Sequence, residues 1–545
     1  MRLAAAIFGA TLIFTQGIPL RAQRAGSTVS IIPRPASLVP RAGRFTLTPR
    51  TVIWVDRGTA TLGRQLAGYL DPATGFDLTV RTAGTPAGNR IVLRLDPALA
   101  RLGDEGYLLD VRPGVVSIRA PKAAGVFYGM QSLRQLLPVE IFREAHVTGV
   151  NWTAPALRIE DSPRFAWRGM HLDVARHFMP KEFVKKFIDL LALHKMNIFH
   201  WHLTEDQGWR IAINKYPRLT QVGAWRKETV VGPNVRDSSQ RVFDGKRHGG
   251  FYTQDDVREI VAYAKARFVN VVPEIEMPGH AQAAISAYPE LGNTGTQIGV
   301  RTFWGVSEHI LNPENKTVAF MQGVLGEVLT LFPSRFIHIG GDEAVKTQWK
   351  SSPRAQERIR ELGLKDEHEL QSWFIRQIDT YLTQQGRRLI GWDEILEGGL
   401  APNATVMSWR GIEGGLAAAR AGHDVVMAPN TAVYFDYYQS LDKATEPLAI
   451  GGFIPLDSVY AYEPVPAELE PQFVKHILGA QGQLWTEYMP NGKHVEYMAF
   501  PRVSALAEVL WTAKNARDFG EFRARLETHL RRLDVLDVNY RPVRP

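Results

Sequence analysis

A chain of 545 residues exceeds one ordinary small domain, and its 45% hydrophobic content is enough for a large core with a satellite unit. The formal charge of +8 arises from both signs spread along the chain, 22% of residues being charged, with no Lys/Arg block, and this argues against nucleic acid as a partner. Cysteine is absent, which excludes disulfides, Cys-based zinc sites and a thiol nucleophile together.

Met1-Arg2 and the apolar run from Leu3 to Phe14 predict a signal peptide over residues 1–22, with a small-residue cleavage site near Ala22. The alternative is an ordinary buried N-terminal helix. The run is shorter than the ~20 residues a membrane span needs, and no later stretch is long and apolar enough, so no stable membrane insertion is expected. An exported chain without disulfides is expected to be a bacterial periplasmic or secreted protein.

Residues 30–155 alternate β-rich runs (Ile91 to Leu95, Gly106 to Val111, Val115 to Ala120) with one helical stretch from Ala123 to Leu137. That stretch carries Val126, Met130, Leu133 and Leu137 on one face, the spacing of a helix packed on a sheet. A small α/β domain without chemistry of its own is predicted.

From Trp167 the pattern becomes β-rich runs separated by amphipathic helices, which predicts a parallel sheet built of βα units. The candidate strands are Arg168 to Val174, Asn197 to Leu203, Asn270 to Ile275, Phe336 to Gly340, Arg388 to Trp392, Thr405 to Trp409, Asp424 to Ala428, and Ile477 to Leu484. Thr253-Gln-Asp-Asp256 reads as a capping box opening a helix that runs toward Arg267. Eight such strands predict a (β/α)8 TIM barrel over residues 160–545, with reactive groups at the C-terminal strand ends. Residues 225–251, rich in Gly, Arg and Lys, are either a rim or lid loop over the barrel mouth or a solvated insertion.

The strand ends carry the chemistry. The fourth closes Phe336-Ile-His-Ile-Gly-Gly-Asp-Glu343, where two glycines permit a sharp turn that lets both carboxylates face the mouth. A purely structural reading would make them caps of the next helix. The first strand leads to Asp173-Val-Ala-Arg176-His177, and the second to His202-Leu-Thr-Glu205-Asp206. The third leads to Glu276-Met-Pro-Gly-His280, the fifth to Trp392-Asp393-Glu394, and the sixth to Trp409-Arg410. Tyr434-Phe-Asp436 follows the seventh, and Trp485-Thr-Glu487 the eighth, each pair two apart and so on one face in extended chain. Carboxylates and arginine suit sugar hydroxyls, and aromatic faces suit the C–H surface of a sugar ring. A single Trp is more often core, but Trp392, Trp409 and Trp485 share one end of three strands. His338 reads as a barrel residue outside the site. His200-Trp-His202 mimics a metal-binding pair that His280, His338 and Asp342 could complete, the pattern of a metal-dependent barrel hydrolase. That alternative leaves the three tryptophans and the Arg176/Glu487 pair unexplained, so no metal and no cofactor is expected.

Taken in order, DVARHF, HLTEDQGWR, EIEMPGH, HIGGDE, GWDEI, SWRG and QLWTE resemble the family 20 glycoside hydrolases, and the small leading domain resembles the one that precedes the barrel there. The resemblance implies a carbohydrate substrate with a terminal β-linked N-acetylhexosamine and an exo-acting, retaining β-N-acetylhexosaminidase. In that reaction the substrate's 2-acetamido oxygen attacks the anomeric carbon to form an oxazolinium. Glu343 would be acid then base, and Asp342 would orient the acetamido nitrogen. Tyr434 would hydrogen-bond the acetamido oxygen, and Trp392, Trp409 and Trp485 would box its methyl. Arg176 and Glu487 would hold the far hydroxyls, with Asp436 on the acetamido and 6-hydroxyl side. His280 and one of Glu205 and Asp206 would form a relay behind Glu343; this chain has Glu205 where the commoner motif has Asp, leaving open which carboxylate faces His280. Burial beside Asp342 is expected to raise the Glu343 pKa. A larger pocket would suit lacto-N-biosidase action instead.

Overall fold

The structure, a computed structural model, describes residues 29–84, 87–233, 235 and 237–543; the expected signal peptide lies outside them. The small domain is a seven-stranded sheet of β1 (Ser37–Thr46), β2 (Val52–Val55), β3 (Val80–Arg81), β4 (Arg90–Leu95), β5 (Tyr107–Arg112), β6 (Val115–Ala120) and β7 (Thr153–Asp161). Its order is β1-β7-β5-β6-β4-β2-β3. The expected helix is α2 (Ala123–Leu136), with Val126, Met130 and Leu133 buried against the sheet. Sequence reading finds only this helix, whereas a second, α1 (Ala60–Thr74), precedes it and buries Leu62, Leu66 and Leu70. Gly63, Gly68 and Pro72 lower its helix propensity, so the i, i+4 leucines are the only signal it leaves.

Eight parallel strands close the barrel: β8 (Trp167–Asp173), β9 (Ile198–His202), β10 (Asn270–Glu274), β11 (Phe336–His338), β12 (Arg388–Trp392), β13 (Thr405–Ser408), β14 (Val425–Met427) and β15 (Ile477–Gly482). They are the eight runs read from sequence, with ends that differ by at most two residues. The helix after β9, Gln254–Lys265, starts at the Thr253 capping box as expected. The register pairs Asp173 with His202, His202 with Glu274, and Glu274 with His338, so these side chains form one layer near the C-terminal mouth. Barrel interiors are ordinarily filled by Val, Ile and Leu. Here His171, His200, His202, Glu274, His338 and Gln481 are wholly buried inside the barrel, a polar layer directly below the mouth.

The small domain is fastened near the opposite end of β8. Arg168 donates twice to Glu105, at 2.8 Å each, and Lys195 Nζ forms a buried ion pair with Asp161 at 3.0 Å. Asp161 also accepts from Trp511 Nε1 at 2.9 Å and from Tyr107 at 2.7 Å, so the buried charge is fully partnered. Among the described residues no helix is long and apolar enough to cross a membrane.

Candidate active site

The mouth of the barrel holds a cavity of about 310 Å³. Its walls bring together Arg176, His280, Asp342, Glu343, Trp392, Trp409, Tyr434, Asp436, Trp485 and Glu487 from six different strand ends and the loop after β14.

Strand β11 stops at His338, and the backbone turns through Gly340 (φ 68°) and Gly341 (φ 94°) before Asp342. A Cβ at Gly340 would lie 1.7 Å from Glu276 Oε2, so only glycine fits. The turn buries Asp342 and leaves the Glu343 side chain 38% exposed to the cavity. Glu343 and His280 are both non-glycine residues in the left-handed region, at φ 44° and 49°. Such conformations are held against local strain by surrounding contacts. Nε2 of His280 lies 3.4 Å from Asp342 Oδ2 and 3.4 Å from Glu343 Oε2, so the two carboxylates sit side by side on one nitrogen.

On its other side, His280 Nδ1 donates to Glu205 Oε1 at 2.7 Å, while Asp206 Oδ2 is 3.7 Å away. Glu205 is thus the carboxylate that faces His280. Asp206 instead accepts the backbone N–H of Gln282 at 3.0 Å and fixes the loop that carries His280. Glu205 Oε2 also takes an ion pair from Arg176 Nη2 at 3.2 Å. Burial opposes the charge on His280, but Glu205 and Asp342 hold its pKa well above the usual imidazole value. For Glu343 the direction differs from the sequence expectation. Burial pushes its pKa up as anticipated, yet the hydrogen bond and charge of His280, with Arg176 behind, outweigh burial and bring it below the usual carboxylate value.

Trp392 is 1% exposed and stands 5.7 Å from Trp485, ring centroid to centroid; Trp409 and Tyr434 stack at 6.1 Å with a 24° interplanar angle. Carboxylates lock two of the indoles: Trp392 Nε1 donates to Glu274 at 2.8 Å, and Trp409 Nε1 to Glu394 at 2.9 Å. Asp393 accepts the backbone N–H groups of Trp409 and Arg410 at 2.9 and 3.1 Å. The acidic pair after β12 therefore serves the β13 end. Burial, with Asp342 nearby, raises the Glu394 pKa to about 8. Tyr434 is seated by a bridge to Gln483 beyond β15.

At the far end, Arg176 lies over Trp485, 4.9 Å from its centroid, and 4.0 Å from Glu487. Asp436 and Glu487 both have raised pKa values, burial being the main cause, and Asp436 Oδ1 and Glu487 Oε2 are buried without partners. Unsatisfied buried polar atoms that line a cavity are ready acceptors for a hydroxylated ligand.

Several site residues escape sequence reading. Asp173 accepts the N–H groups of Ala175 and Arg176 at 2.7 and 3.1 Å, and the backbone N–H and side-chain hydroxyl of Thr486 at 3.1 Å each, shaping two rim loops at once. Its signal was its place at the head of DVARHF. Tyr437 and Ile450 to Gly452 complete the cavity wall from an aperiodic loop. Residues 225–251 form two short ribbons, Trp225–Arg226 with His248–Gly249 and Val230–Val231 with Val242–Phe243. Their base is locked: Arg210 donates to the carbonyls of Ala224 and Gly250, and His248 Nε2 accepts from Phe178 N at 3.2 Å. The described part of the segment buttresses the loop carrying Arg176, and none of its described residues lines the cavity.

His171, His200 and Glu274 have side-chain atoms close enough to share a metal ion. They lie beneath Trp392, with His200 Nε2 3.0 Å from Glu274 and Glu274 bonded to Trp392, so an ion there would be walled off from the cavity.

Residues 165–514 match the catalytic domain of glycosyl hydrolase family 20, and residues 28–162 match domain 2 of that family. The chain belongs to glycosyl hydrolase family 20. It is similar to a β-hexosaminidase of Porphyromonas gingivalis, 46% identical over 515 residues, spanning 94% of this chain and 64% of that protein's length. In structure it resembles the family 20 β-N-acetylhexosaminidase of Streptomyces coelicolor, with a TM-score of 0.81, 34% identity, and 94% and 98% of the two chains covered. It also resembles an exo β-N-acetylglucosaminidase of Vibrio harveyi in complex with N-acetylglucosamine, with a TM-score of 0.80, 34% identity, and 94% and 78% covered.

Proposed function

We propose that this chain is an exo-acting, retaining β-N-acetylhexosaminidase in which the substrate's own acetamide is the nucleophile. The observation that carries this reading is the convergence of Asp342 and Glu343 on the single nitrogen of His280. Retaining enzymes of the two-carboxylate kind flank the scissile bond with an acid and a nucleophile ~5–5.5 Å apart, family 20 being one of the recognised substrate-assisted exceptions. Side-by-side carboxylates on one wall suit the exception: Glu343 reaches the glycosidic oxygen while Asp342 takes the acetamido N–H.

The sequence of events follows from the charges. Trp392, Trp409 and Trp485 enclose the acetyl methyl, Tyr434 donates to the acetamido oxygen, and Asp342 accepts from its nitrogen, which aims the oxygen at the anomeric carbon. As the C–O bond forms and the glycosidic bond breaks, Glu343 protonates the leaving oxygen. Asp342 stabilises the positive charge that grows on the oxazolinium. Glu343, now anionic beside His280, then takes a proton from the water that opens the ring, and the β configuration is restored. Arg176, Asp436 and Glu487 close the far end on a terminal sugar, and the exo-acting Vibrio harveyi relative supports that reading.

The test compares release of 4-nitrophenol from N-acetyl-β-glucosaminide, N-acetyl-β-galactosaminide, β-lacto-N-bioside and plain β-glucoside. The two N-acetylhexosaminides should be cleaved with retention, as read by NMR of the first-formed anomer. Preferential cleavage of the lacto-N-bioside, or an equal rate on the plain glucoside, would contradict the proposal.

A further inference from the structure

Beneath the cavity floor, a buried run of polar contacts joins two walls that the reaction uses for different purposes. Trp392 Nε1 donates to Glu274 Oε1 at 2.8 Å, and His338 Nδ1 is 2.8 Å from the same oxygen. Glu274 Oε2 accepts a short hydrogen bond from His202 Nδ1. His202 Nε2 lies 3.4 Å from Glu205 Oε2, and Glu205 Oε1 holds His280 Nδ1 at 2.7 Å. The His202 ring also packs on Trp485 at 5.0 Å between centroids. His202 is therefore the junction between two box tryptophans and the relay behind Glu343. We propose that His202 and Glu274 are positioning residues that couple the acetyl-binding box to the acid relay, with His202 held as an imidazolium between two carboxylates.

The protonation state follows from the partners. An ionised carboxylate can only accept, so His202 donates from Nδ1 to Glu274 Oε2, while its Nε2 stands at an ion-pair distance of 3.4 Å from Glu205 Oε2, where a carboxylate favours a proton on that nitrogen too. The groups facing it are Glu274 and Glu276 from β10 and its loop, Asp173 from β8, Glu205 from its own strand's end, and the rings of His171 and His200. Burial keeps His171 and His200 below the usual imidazole value, His200 at about 4, which leaves the positive charge to His202. Although burial works against it, Glu274 and Glu205 raise His202 to about 10. Acetamide attack and proton donation occur in one step, and each tolerates only ~0.5 Å of misplacement. A single ring that pins both sides keeps the two geometries in register.

This inference rests on the substrate-assisted reading above. Its test uses the full chain carrying His202→Gln, with His338→Gln, which touches Glu274 but not the relay, for comparison. Two ratios are read, each normalised to the unsubstituted enzyme: the rate with a 4-methylumbelliferyl against a 2,4-dinitrophenyl leaving group, and the rate on N-acetyl against N-propionyl substrate. His202→Gln should cost about tenfold or more in kcat on the umbelliferyl glycoside, with most of the loss recovered on the dinitrophenyl one. It should also lower the N-acetyl preference by about tenfold, whereas His338→Gln should change only the acyl preference. A loss equal for both leaving groups with acyl preference intact would reduce His202 to a packing role and overturn the proposal. Neutron diffraction from the unsubstituted protein at neutral pD decides independently of any variant's folding: deuterium on both His202 nitrogens is expected, and deuterium on one alone overturns it. Inactivity of the unsubstituted enzyme on N-acetyl substrates would instead count against the substrate-assisted reading, while the neutron result would still decide the state of His202.

Discussion

Glu343 Oε2 and His280 Nε2 lie 3.4 Å apart, and both residues occupy left-handed backbone, at φ 44° and 49°. Two strained turns on different strands thus meet at a single proton. The Gly340-Gly341 bend delivers one partner, and the loop fixed by Asp206 delivers the other. In the proposed reaction Glu343 gives a proton to the leaving group, and the raised His280 beside the lowered Glu343 makes the imidazole the holder of that proton before substrate binds.

Glu343→Gln should lower kcat by roughly two to four orders of magnitude on substrates with poor leaving groups and by much less on a 2,4-dinitrophenyl glycoside, because only the former needs a strong acid. Asp342→Asn should also lose activity mainly in kcat, since the charge it stabilises exists only in the transition state and the oxazolinium. Steady-state kinetics with unchanged circular dichroism would check both. An effect of Asp342→Asn confined to KM would contradict the assigned role.

Removing the imidazole should move a pH limb in a defined direction. In the wild type, His280 is raised and Glu343 is lowered, so their shared proton is lost only as pH rises through the His280 value. In His280→Gln the proton must reside on Glu343, whose pKa is then a carboxylate's, raised by burial but still below that of the His280 couple. The alkaline limb of kcat/KM should therefore shift to lower pH by about one unit or more. An unmoved limb would show that His280 does not hold the proton.

Gly340→Ala should destabilise the fold by roughly 2 kcal/mol or more, through the positive φ and the clash with Glu276, and it should impair turnover as Asp342 is displaced. Thermal unfolding of the variant against Gly363→Ala, a surface glycine at φ 65° with open space around its Cβ, separates the clash from the backbone cost alone.

The barrel was legible because each of its strands is a short β-rich run bounded by turn residues, and because site residues cluster where those runs end. Arg176, Asp342, Glu343 and the three tryptophans are found this way, since the segments that follow the C-terminal strand ends together form the mouth. What sequence could not give was set by tertiary contact. Whether Glu205 or Asp206 meets His280 depends on the tight Thr204–Glu205/Gly208–Trp209 ribbon, which turns Glu205 inward. The downward shift of Glu343 depends on His280, which lies in a loop 63 positions earlier and is brought within 3.4 Å only by the parallel β10–β11 pairing. Helix α1 escaped because its glycines and Pro72 mask a buried face that packing nonetheless stabilises.

In the proposed reaction the substrate's acetamide oxygen performs the nucleophilic attack, with Asp342 and the tryptophan box holding it in place. This attack is tested most directly by hydrolysis of a series of glycosides whose N-acyl group carries none, one, two or three fluorines. Fluorine drains electron density from the acyl oxygen with little change in size, so kcat/KM should fall steeply and monotonically along the series. A flat series would mean that a group of the protein attacks the anomeric carbon, and would contradict the account.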